Sequence, residues 1–215
     1  MYIQITTRCN MLCAHCCYSC TAAGVDMERE VFLQACKLAA DRCEYIAIGG
    51  GEPTMHPLFW DYIGLAIAYQ QEGPPWMATN GKITETALTL ARLARKGILS
   101  VELSRDQYHE DIDQDVITAF TIEKRSYIGQ RSEDHRGIRD ITQNGQREPI
   151  PQGRAKKIIH TKQTECACND LFVAPNGDLY TCGCQNVRLG TVFDPCIGDE
   201  VFENSIDAGW CMTYR

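Results

Sequence analysis

Three cysteines near the amino terminus, Cys9, Cys13 and Cys16, have the chemistry and the spacing to hold a metal centre. They follow the pattern C-x3-C-x2-C within one short segment, and thiolates favour soft metals and iron–sulfur clusters. Three ligands on a four-iron cube leave one iron open, and an open iron can bind a substrate. A structural zinc ion takes four ligands and commonly uses two C-x2-C pairs. Cys17 and Cys20 are spare thiols in the same segment, so spacing alone keeps zinc as an alternative.

A second group of cysteines lies near the carboxyl terminus and has the pattern C-x-C … C-x-C. Its members are Cys166, Cys168, Cys182 and Cys184. Asn176-Gly177 lies between the two pairs and is flanked by β-like segments at 171–174 and 178–181, which predicts a β-hairpin. Such a hairpin would place the pairs side by side, as a four-ligand site requires. The predicted ligands are these four, or three of them together with Cys196 or Cys211.

Metal binding is the preferred interpretation of thirteen cysteines in 215 residues. The alternative is a disulfide framework, which is typical of short secreted chains and would leave one thiol of an odd number unpaired. The first ten residues lack the basic start and the apolar stretch of a secretory signal. No apolar run approaches the roughly 20 residues needed to span a bilayer. We therefore expect a cytoplasmic protein that does not enter a membrane.

Charge is distributed unevenly along the chain. The net charge of −7 argues against a general nucleic-acid binder, because phosphate contacts need Lys and Arg. Residues 121–162, however, carry ten Lys or Arg and only five Asp or Glu. A solvated surface loop accounts for such a run. The alternative is a local patch that meets a phosphate or carboxylate group of the substrate.

Short β-like runs alternate with helical patterns over the first hundred residues, which predicts a parallel sheet with crossover helices. Strands are predicted at 2–6, 45–48, 76–79 and 98–103, and helices at 58–71, 84–96 and 111–124. Another helix is expected to be capped by Asp26 and to bury apolar residues spaced by the helical period. Cys36 and Cys43 are expected on a buried helix face as small hydrophobic residues.

Each of the four predicted strands is followed by residues that could do chemistry. The first strand is followed by the cysteine triad and the second by Gly50-Gly51-Glu52. Asn80 follows the third strand, and Ser104, Asp106 and His109 follow the fourth. Because ligands of parallel α/β sheets bind at the carboxyl ends of the strands, these residues are expected to converge on one mouth. Local hydrogen bonding is the expected role of His56 and His109. A proton-donor or substrate-contacting role is the alternative for His109 if it faces the mouth.

Together these motifs resemble the radical S-adenosylmethionine (SAM) superfamily over residues 1–110. The cysteine triad, with His15 before its last cysteine, is similar to the family signature, Gly50-Gly51-Glu52-Pro53 to the GGE motif and Thr79-Asn80-Gly81 to the third-strand segment. The resemblance implies a [4Fe-4S] cluster whose open iron chelates the methionyl amine and carboxylate of SAM. An electron from the cluster then splits SAM into methionine and a 5′-deoxyadenosyl radical.

The same resemblance assigns cofactor-binding roles to residues of the strand ends. His15 belongs to the cluster signature, and the segment Gly50-Gly51-Glu52 is implied to bind the methionine amino group of SAM. Ser104 and Asp106 lie where the family's fourth-strand residues approach the ribose and carboxylate of SAM. Asn80 is also implied to contact the cofactor, with a simple turn at Asn80-Gly81 as the alternative.

The carboxyl-terminal cysteines resemble the SPASM and twitch auxiliary-cluster regions of this superfamily. Ten residues separate Cys166 from Gly177 and four more separate Gly177 from Cys182. Gly153-Arg154-Ala155 is similar to the GRA segment that often precedes such regions, which places Arg154 among the cofactor-binding residues. The further cysteines of a full SPASM region are missing, so the resemblance implies one auxiliary [4Fe-4S] cluster. A zinc-stabilised tail is the alternative.

The resemblance also implies an architecture and a reaction. Residues 1–150 are expected to form a partial (β/α)6-type barrel, and residues 151–215 a Cys-rich β-hairpin extension. The radical would abstract hydrogen from a substrate carbon, with a reductant protein such as a flavodoxin or ferredoxin as the partner. The alternative function is a non-catalytic zinc or iron–sulfur binding module, or an iron–sulfur electron carrier.

Two substrate classes remain open, and either would make the enzyme a peptide-modifying maturase or an isomerase. Enzymes with SPASM or twitch regions commonly modify ribosomal peptides, although this chain begins directly with its first strand and leaves no room for a leader-binding domain. The basic segment 121–162 favours instead an amino-acid-modified nucleotide or DNA. Viral isomerases that rearrange amino-acid-modified thymidines are one family of this second kind.

Overall fold

The structure is a computed structural model that describes residues 1–122, 134–140, 152–158, 171–185 and 187–194. The strands are β1 (Tyr2–Thr6), β2 (Ala47–Gly50), β3 (Trp76–Thr79), β4 (Ser100–Ser104), β5 (Arg136–Arg139), β6 (Phe172–Val173), β7 (Asp178–Tyr180) and β8 (Arg188–Thr191). The α-helices are α1 (Arg29–Asp41), α2 (Phe59–Tyr69), α3 (Thr84–Arg95) and α4 (Gln114–Phe120). Two short 3₁₀ helices span Pro53–Met55 and Gly153–Lys157.

All described strands belong to one open sheet with the order β5-β4-β3-β2-β1-β6-β7-β8. The neighbouring pairs from β5 through to β6 are parallel, whereas β6, β7 and β8 pair in antiparallel fashion. The mixed α/β fold class is therefore confirmed, with an open and mostly parallel sheet. Because β6 pairs directly with β1, residues on both sides of the expected boundary at 150 share this sheet, and the boundary itself stays a prediction.

The predicted hairpin of the Cys-rich extension is confirmed by β6 and β7. Phe172 pairs with Tyr180 and Val173 with Leu179, and the turn between the strands contains Asn176-Gly177. Gly177 has a φ of +86°, in the left-handed region that residues with a Cβ rarely adopt. The Asn-Gly signal therefore identified the turn for the correct physical reason.

One face of the sheet packs against the helices and forms the hydrophobic core. Ile3 and Ile5 of β1 and Val101 and Leu103 of β4 are fully buried on this face, so the alternate residues of each strand face the opposite side. The rings of Phe32 and Tyr62 stack with centroids 4.2 Å apart, which joins α1 to α2. No helix within the described ranges is long and apolar enough to cross a membrane.

The start of α1 differs from the prediction that Asp26 caps it. The residue before the helix is Glu28, which makes no side-chain capping hydrogen bond. Asp26 instead accepts hydrogen bonds from Oγ1 of Thr6 at 2.6 Å and from Nη1 of Arg8 at 2.9 Å. Burial raises the pKa of Asp26, but these two donors outweigh burial and lower it below its usual value. Its carboxylate therefore ties the end of β1 to the approach to α1.

Two further sequence predictions are wrong in detail. Cys36 is fully buried on α1 as expected, but Cys43 is exposed just after that helix with a φ of +55°. The helix predicted at 111–124 begins only at Gln114, capped by the carboxylate of Asp113, and ends at Phe120. Asp111, Ile112 and Asp113 precede this helix because Asp113 caps it, and residues 123–124 lie outside the described ranges.

Candidate active site

The cysteine triad lies in the segment 9–20, here called the cluster loop, which follows β1 at the carboxyl ends of the parallel strands. Cys9 N donates to the carbonyl of Thr21 at 2.9 Å, so the two ends of the loop are held together. Cys16 N donates to the carbonyl of Cys13 at 3.2 Å, which closes a turn between the second and third cysteines. The loop therefore presents the three thiols from a chain closed at its base.

Backbone and side-chain amides point at the sulfur atoms. Met11 N lies 3.4 Å from Sγ of Cys9, and Cys20 N lies 3.4 Å from Sγ of Cys16. The side-chain amide of Asn80 lies 3.8 Å from Sγ of Cys9. Donors aimed at sulfur favour the thiolate form, which is the form that ligates metals.

The three thiols of the cluster loop are soft donors that come from one short segment. Within the described residues, the one group of three His, Cys, Asp or Glu donors that all lie within 4.8 Å of one another is His15, Asp106 and His109. The sulfurs of Cys9, Cys13 and Cys16 therefore do not all lie within that distance of one another. Three thiols in one loop are a donor set that suits a [4Fe-4S] cluster.

The protonation of the thiols follows from burial and from one neighbouring cysteine. Burial raises the pKa of Cys9, and it raises the pKa of Cys13 to about 11. The thiol of Cys20 donates to Cys16, which lowers the pKa of Cys16, and the same bond raises that of Cys20. Cys20 is 2% exposed and was set aside as a spare thiol by sequence reasoning. It supports a cluster cysteine through this bond.

Arg154 holds the cluster loop from the side of the 3₁₀ helix Gly153–Lys157. Its Nε donates to the carbonyl of Cys13 at 3.0 Å, and its Nη1 donates to the carbonyl of Cys20 at 2.8 Å. Its backbone N donates to the carbonyl of Cys16 at 3.0 Å. The resemblance named Arg154 as cofactor-binding, and its contacts within the described residues are with the loop that carries the cysteines.

Glu52 joins the ends of β2 and β3 beneath the cluster loop. Its carboxylate is 1% exposed and accepts hydrogen bonds from Oγ1 of Thr79 at 2.7 Å, N of Asn80 at 2.7 Å and Oγ1 of Thr54 at 2.6 Å. Burial raises the pKa of Glu52 although these donors oppose the shift. The carboxylate implied to meet SAM is thus already engaged by protein donors, and its visible effect is to fix the strand ends.

Gly51 lets β2 approach the start of the cluster loop closely. A Cβ at this position would overlap the carbonyl of Arg8. Gly51 N donates to the carbonyl of Thr6, and Glu52 N donates to the carbonyl of Arg8, both at 2.8 Å. The glycine run therefore serves to bring the backbone of the two strand ends together.

Asn80 connects the end of β3 to the cluster loop. Its side-chain amide donates to Oδ1 of Asn10 at 2.8 Å, and its own Oδ1 accepts from N of Lys82 at 3.0 Å. Lys82 Nζ in turn donates to the carbonyl of Asn10 at 3.0 Å and pairs with Glu110. Gly81 has a φ of +73°, in the left-handed region, and the side chain of Asn80 contacts the cluster loop.

Ser104 and Asp106 lie at the end of β4, and Asp106 meets two histidines. Nδ1 of His109 lies 2.8 Å from Oδ1 of Asp106, and Nε2 of His15 lies 3.7 Å from Oδ2. Burial raises the pKa of Asp106, but the contact with His109 and the N–H of Tyr108 outweigh it and lower the pKa. Burial lowers the pKa of His15. His109 thus makes the local contact that was expected of it and also faces His15.

His56 has only the local role that was expected. Leu58 N donates to Nδ1 of His56 at 3.0 Å, and the opposite nitrogen, Nε2, lies 3.0 Å from the carbonyl of Met27. Because Nδ1 accepts a hydrogen bond, Nε2 carries the proton and donates it to that carbonyl. The ring is buried and fixes the entry to α2 against the start of α1.

Sequence reasoning missed polar residues on the face of the sheet opposite the helices. Alternation along β1 and β4 places Tyr2, Gln4 and Glu102 on this face, and the pairing of β5 with β4 adds Arg139. Arg139 is close enough to lower the pKa of Tyr2, although burial dominates and raises it. The alternating polar pattern was present in the sequence, but residues 125–165 had no assigned strand.

A cavity of about 410 Å³ lies beside the cluster loop, on the side of the hairpin extension. Gln4, Cys17 and Tyr18 line one side, and Gln152, Lys156 and Gln185 contribute polar groups to the other. Gln4 is 2% exposed, and its side-chain nitrogen has no hydrogen-bond partner among the described residues. The cavity therefore offers a buried donor and several carboxamides to a polar ligand.

Comparison with protein families decides the assignment. The model of the radical SAM superfamily matches residues 3–145, which include the cluster loop and the strand ends that surround it. The chain belongs to the radical SAM superfamily. Membership brings a [4Fe-4S] cluster and SAM as cofactors, and it requires a reductant and a substrate.

Individual relatives match part of this radical SAM chain. Mycofactocin maturase MftC of Mycolicibacterium smegmatis is 32% identical over 118 residues, which cover 53% of this chain and 29% of that protein. MftC of Mycobacterium tuberculosis is 33% identical over 108 residues, which cover 48% of this chain and 26% of that protein. The match thus accounts for less than a third of these relatives' length.

Solved structures of BtrN share the fold of the radical SAM chain. The crystal structure of BtrN in complex with AdoMet and 2-DOIA has a TM-score of 0.60 at 17% identity and covers 89% of this chain and 76% of BtrN. The selenomethionine BtrN structure in an open conformation has a TM-score of 0.59 at 16% identity and covers 100% and 86% of the two chains. At these identities the likeness is one of fold.

The second cysteine group is described only in part. Cys182 and Cys184 are buried just after β7, and Nε2 of Gln152 donates to the carbonyl of Cys184 at 3.0 Å. The Tyr18 ring of the cluster loop lies 5.5 Å from that of Phe172 in β6, so the hairpin packs beside the loop. Cys166, Cys168, Cys196 and Cys211 lie outside the described residues.

Proposed function

We propose that Cys9, Cys13 and Cys16 ligate the [4Fe-4S] cluster and that the enzyme abstracts hydrogen from an amino-acid residue of a peptide. The observation that carries the cluster assignment is the cluster loop itself. Its three thiols lie in one loop at the carboxyl ends of parallel strands, and this loop receives donors from Asn80 after β3 and from Arg154 of the 3₁₀ helix. The cluster and SAM, when bound, supply a 5′-deoxyadenosyl radical.

The protein residues position that chemistry. Arg154 donates hydrogen bonds to the carbonyls of Cys13 and Cys20, so the loop keeps its thiols in one arrangement when the cluster is assembled. Glu52 holds the ends of β2 and β3 at a fixed separation below the loop. Gly50, Gly51, Asn80, Ser104, Asp106 and His15 border the same mouth, and we assign SAM binding to this border.

A peptide is the preferred substrate class for two reasons. The relatives that match about half of this chain are maturases, a name given to enzymes that process a precursor. The cavity beside Cys17 and Tyr18 is lined by carboxamides, whose donors and acceptors match those of peptide bonds. The unpartnered amide of Gln4 would donate to a carbonyl of the substrate.

An anaerobic assay with two competing substrates tests the substrate class. The reconstituted enzyme is incubated with dithionite and SAM, together with a short peptide encoded beside its gene or with an oligonucleotide that carries amino-acid-modified thymidine. Stimulated 5′-deoxyadenosine formation and a mass change in the peptide support the proposal. A rearranged nucleoside of unchanged mass in the oligonucleotide, separated by chromatography of its digest, together with an unaltered peptide, would replace the proposal with the nucleotide-modifying isomerase.

The polar cavity can be tested separately from SAM cleavage. We expect Gln4→Leu to raise the KM for the peptide by about tenfold, because the buried donor that meets the substrate is lost. Cleavage of SAM without peptide should stay the same. Lys96→Leu, at the exposed end of α3, is the matched control. An unchanged KM in Gln4→Leu would remove the cavity from the substrate site.

We also propose that Cys182 and Cys184 belong to one auxiliary [4Fe-4S] cluster with Cys166 and Cys168. The burial of the two described cysteines beside the cluster loop supports this assignment. A flavodoxin or ferredoxin would supply the electron, and such a donor together with labile clusters suits the cytoplasm. Zinc in place of iron at this second site remains the alternative that metal analysis of the reconstituted protein would reveal.

A further inference from the structure

The 3₁₀ helix Gly153–Lys157 belongs to the basic segment of the sequence and lies against the cluster loop. The backbone N of Arg154 donates to the carbonyl of Cys16 at 3.0 Å. A Cβ at Gly153 would lie only 2.4 Å from the carbonyl oxygen of Cys17, so the two backbones touch here. The helix is therefore in direct contact with the part of the loop that carries the third cysteine of the triad.

This helix presents two lysines to solvent beside the loop. Side chains three residues apart eclipse one another in a 3₁₀ helix, and one turn rises about 6 Å. Because Arg154 directs its side chain to the cluster loop, Lys157 lies on the same side of the helix, one turn farther along. Lys156 and Lys157 are exposed, and neither pairs with a carboxylate in the part of the chain that the structure describes.

The charge of this helix is opposite to that of the whole chain. The chain carries a net charge of −7, so an acidic protein is repelled by most of its surface. The helix contributes Arg154, Lys156 and Lys157 and no acidic residue. Because complementary charge steers association, an acidic partner would be directed to this helix and to the cluster loop beneath it.

Arg154 also links the surface of the helix to the cysteine triad. Its backbone N donates to the carbonyl of Cys16, and its Nε donates to the carbonyl of Cys13, both at 3.0 Å. Each carbonyl is a few covalent bonds from the thiol of the same residue. Electrons cross a protein faster along covalent and hydrogen bonds than across gaps between atoms. A donor bound at this helix would therefore have a bonded path to two of the proposed cluster ligands.

We propose that the helix Gly153–Lys157 is the docking surface for an acidic electron-transfer protein that reduces the cluster. The proposal rests on the proposed function, because the electron is delivered to the cluster of Cys9, Cys13 and Cys16. The donor loses one electron and the cluster gains it, and no bond or proton is transferred. Carboxylates of the donor face the two lysines, which are the unpaired cations of the helix.

Binding of an oxidised flavodoxin of net negative charge tests the surface without turnover, because the oxidised flavin has no electron to donate. Labelled flavodoxin is titrated with the reconstituted enzyme, and the complex is followed by fluorescence anisotropy. We expect Lys157→Glu to raise the Kd by at least about tenfold, because an attractive contact becomes a repulsive one. The wild-type Kd should rise with salt. Lys96→Glu, which follows α3 at the amino-terminal ends of the strands, is the matched control and should bind as the wild type does.

Two reductants separate docking from the chemistry at the cluster. With reduced flavodoxin, SAM cleavage by Lys157→Glu should show a kcat/KM for flavodoxin at least about tenfold below that of the wild type. With dithionite, a small ion that needs no docking surface, the two proteins should cleave SAM equally. Equal flavodoxin affinity in the wild type and Lys157→Glu, or an equal loss of cleavage with dithionite, would overturn the proposal.

Two further outcomes identify the occupant of the surface and the fate of the proposed function. An oligonucleotide that displaces flavodoxin and itself requires Lys157 would overturn the proposal, because the surface would then serve a nucleic acid. A wild-type protein that binds flavodoxin through Lys157 but cleaves no SAM with either reductant would contradict the proposed function and support the docking surface.

Discussion

The cluster loop and the turn that carries Cys182 and Cys184 both present buried cysteines, but they are held in different ways. The cluster loop receives hydrogen bonds from Arg154, Asn80 and its own backbone, directed at three carbonyls and two sulfurs. The turn after β7 follows a hairpin strand and is closed by N of Gln185, which donates to the carbonyl of Cys182 at 3.0 Å, and Gln152 donates to the carbonyl of Cys184. An irregular loop needs side chains from distant elements, whereas a hairpin supplies its own geometry.

Removing one cysteine ligand from the cluster loop should have the largest effect on SAM cleavage. Cys13→Ala should reduce 5′-deoxyadenosine formation to the background level, because the cluster loses one of its three protein ligands. The measurement is chromatography of the products after anaerobic incubation with SAM and dithionite. Cys43→Ser, at an exposed position after α1, is the matched control and should keep full activity. Activity of Cys13→Ala comparable to that of this control would contradict the ligand assignment.

Arg154→Ala tests whether distant support is what the cluster loop requires. The carbonyls of Cys13 and Cys20 lose the donors of the Arg154 side chain, so we expect iron incorporation and SAM cleavage to fall by about 10- to 100-fold, as for other residues that orient metal ligands. Arg154→Lys should recover only part of this loss, because one ammonium cannot reproduce the two-donor geometry. Lys157→Ala, in the same 3₁₀ helix, is the control. Normal iron content in Arg154→Ala would show that the loop holds the cluster unaided.

Glu52→Gln tests the hydrogen bonds that join the ends of β2 and β3 beneath the cluster loop. The amide nitrogen would face donors from Thr54, Thr79 or Asn80, so one buried donor is left without an acceptor and unfolding becomes easier by about 1–3 kcal/mol. For a chain of this size that corresponds to a fall in Tm of about 3–10 °C. Thermal unfolding followed by circular dichroism provides the measurement, with the exposed Glu85→Gln as the control. A Tm equal to that of the control would mean that Glu52 does not connect the strands energetically.

Cys182→Ala should have the smallest effect on SAM cleavage and thereby sharpen the contrast between the two regions. If the turn after β7 holds an auxiliary cluster, iron should fall from about eight to about four atoms per chain. Cleavage of SAM without substrate should stay within about twofold of the wild type, because the cluster loop is held independently. Abolished cleavage together with loss of all iron would show that the two regions form one site.

The parallel sheet and the existence of its first four strands could be predicted because hydrophobic periodicity and turn residues are local signals. The Asn176-Gly177 hairpin was predictable for the same reason. The triad was recognisable from the types and spacing of its residues, and the family match over residues 3–145 agrees with that interpretation. The predicted ligand and cofactor-binding roles themselves stay predictions.

The support of the site could not be predicted, because it depends on contacts across the sequence. Arg154 and Cys13 are 141 positions apart, and Asn80 and Cys9 are 71 apart. Asp26 carried a helix-cap signal, but two donors at the end of β1 engage its carboxylate instead. Glu52 looked like a ligand-binding carboxylate, yet the strand next to its own uses it as an acceptor. Such pairings arise only when the strands are side by side.

Electron paramagnetic resonance of the reduced Cys182→Ala protein tests the central claim most directly, because only the cluster of Cys9, Cys13 and Cys16 should contribute to the spectrum. The account predicts one [4Fe-4S]⁺ signal that changes when SAM is added, since SAM binds to the iron that has no cysteine ligand. Adding Cys13→Ala to this variant should remove the signal. A signal that is identical with and without SAM, or a colourless protein that contains zinc, would contradict the account.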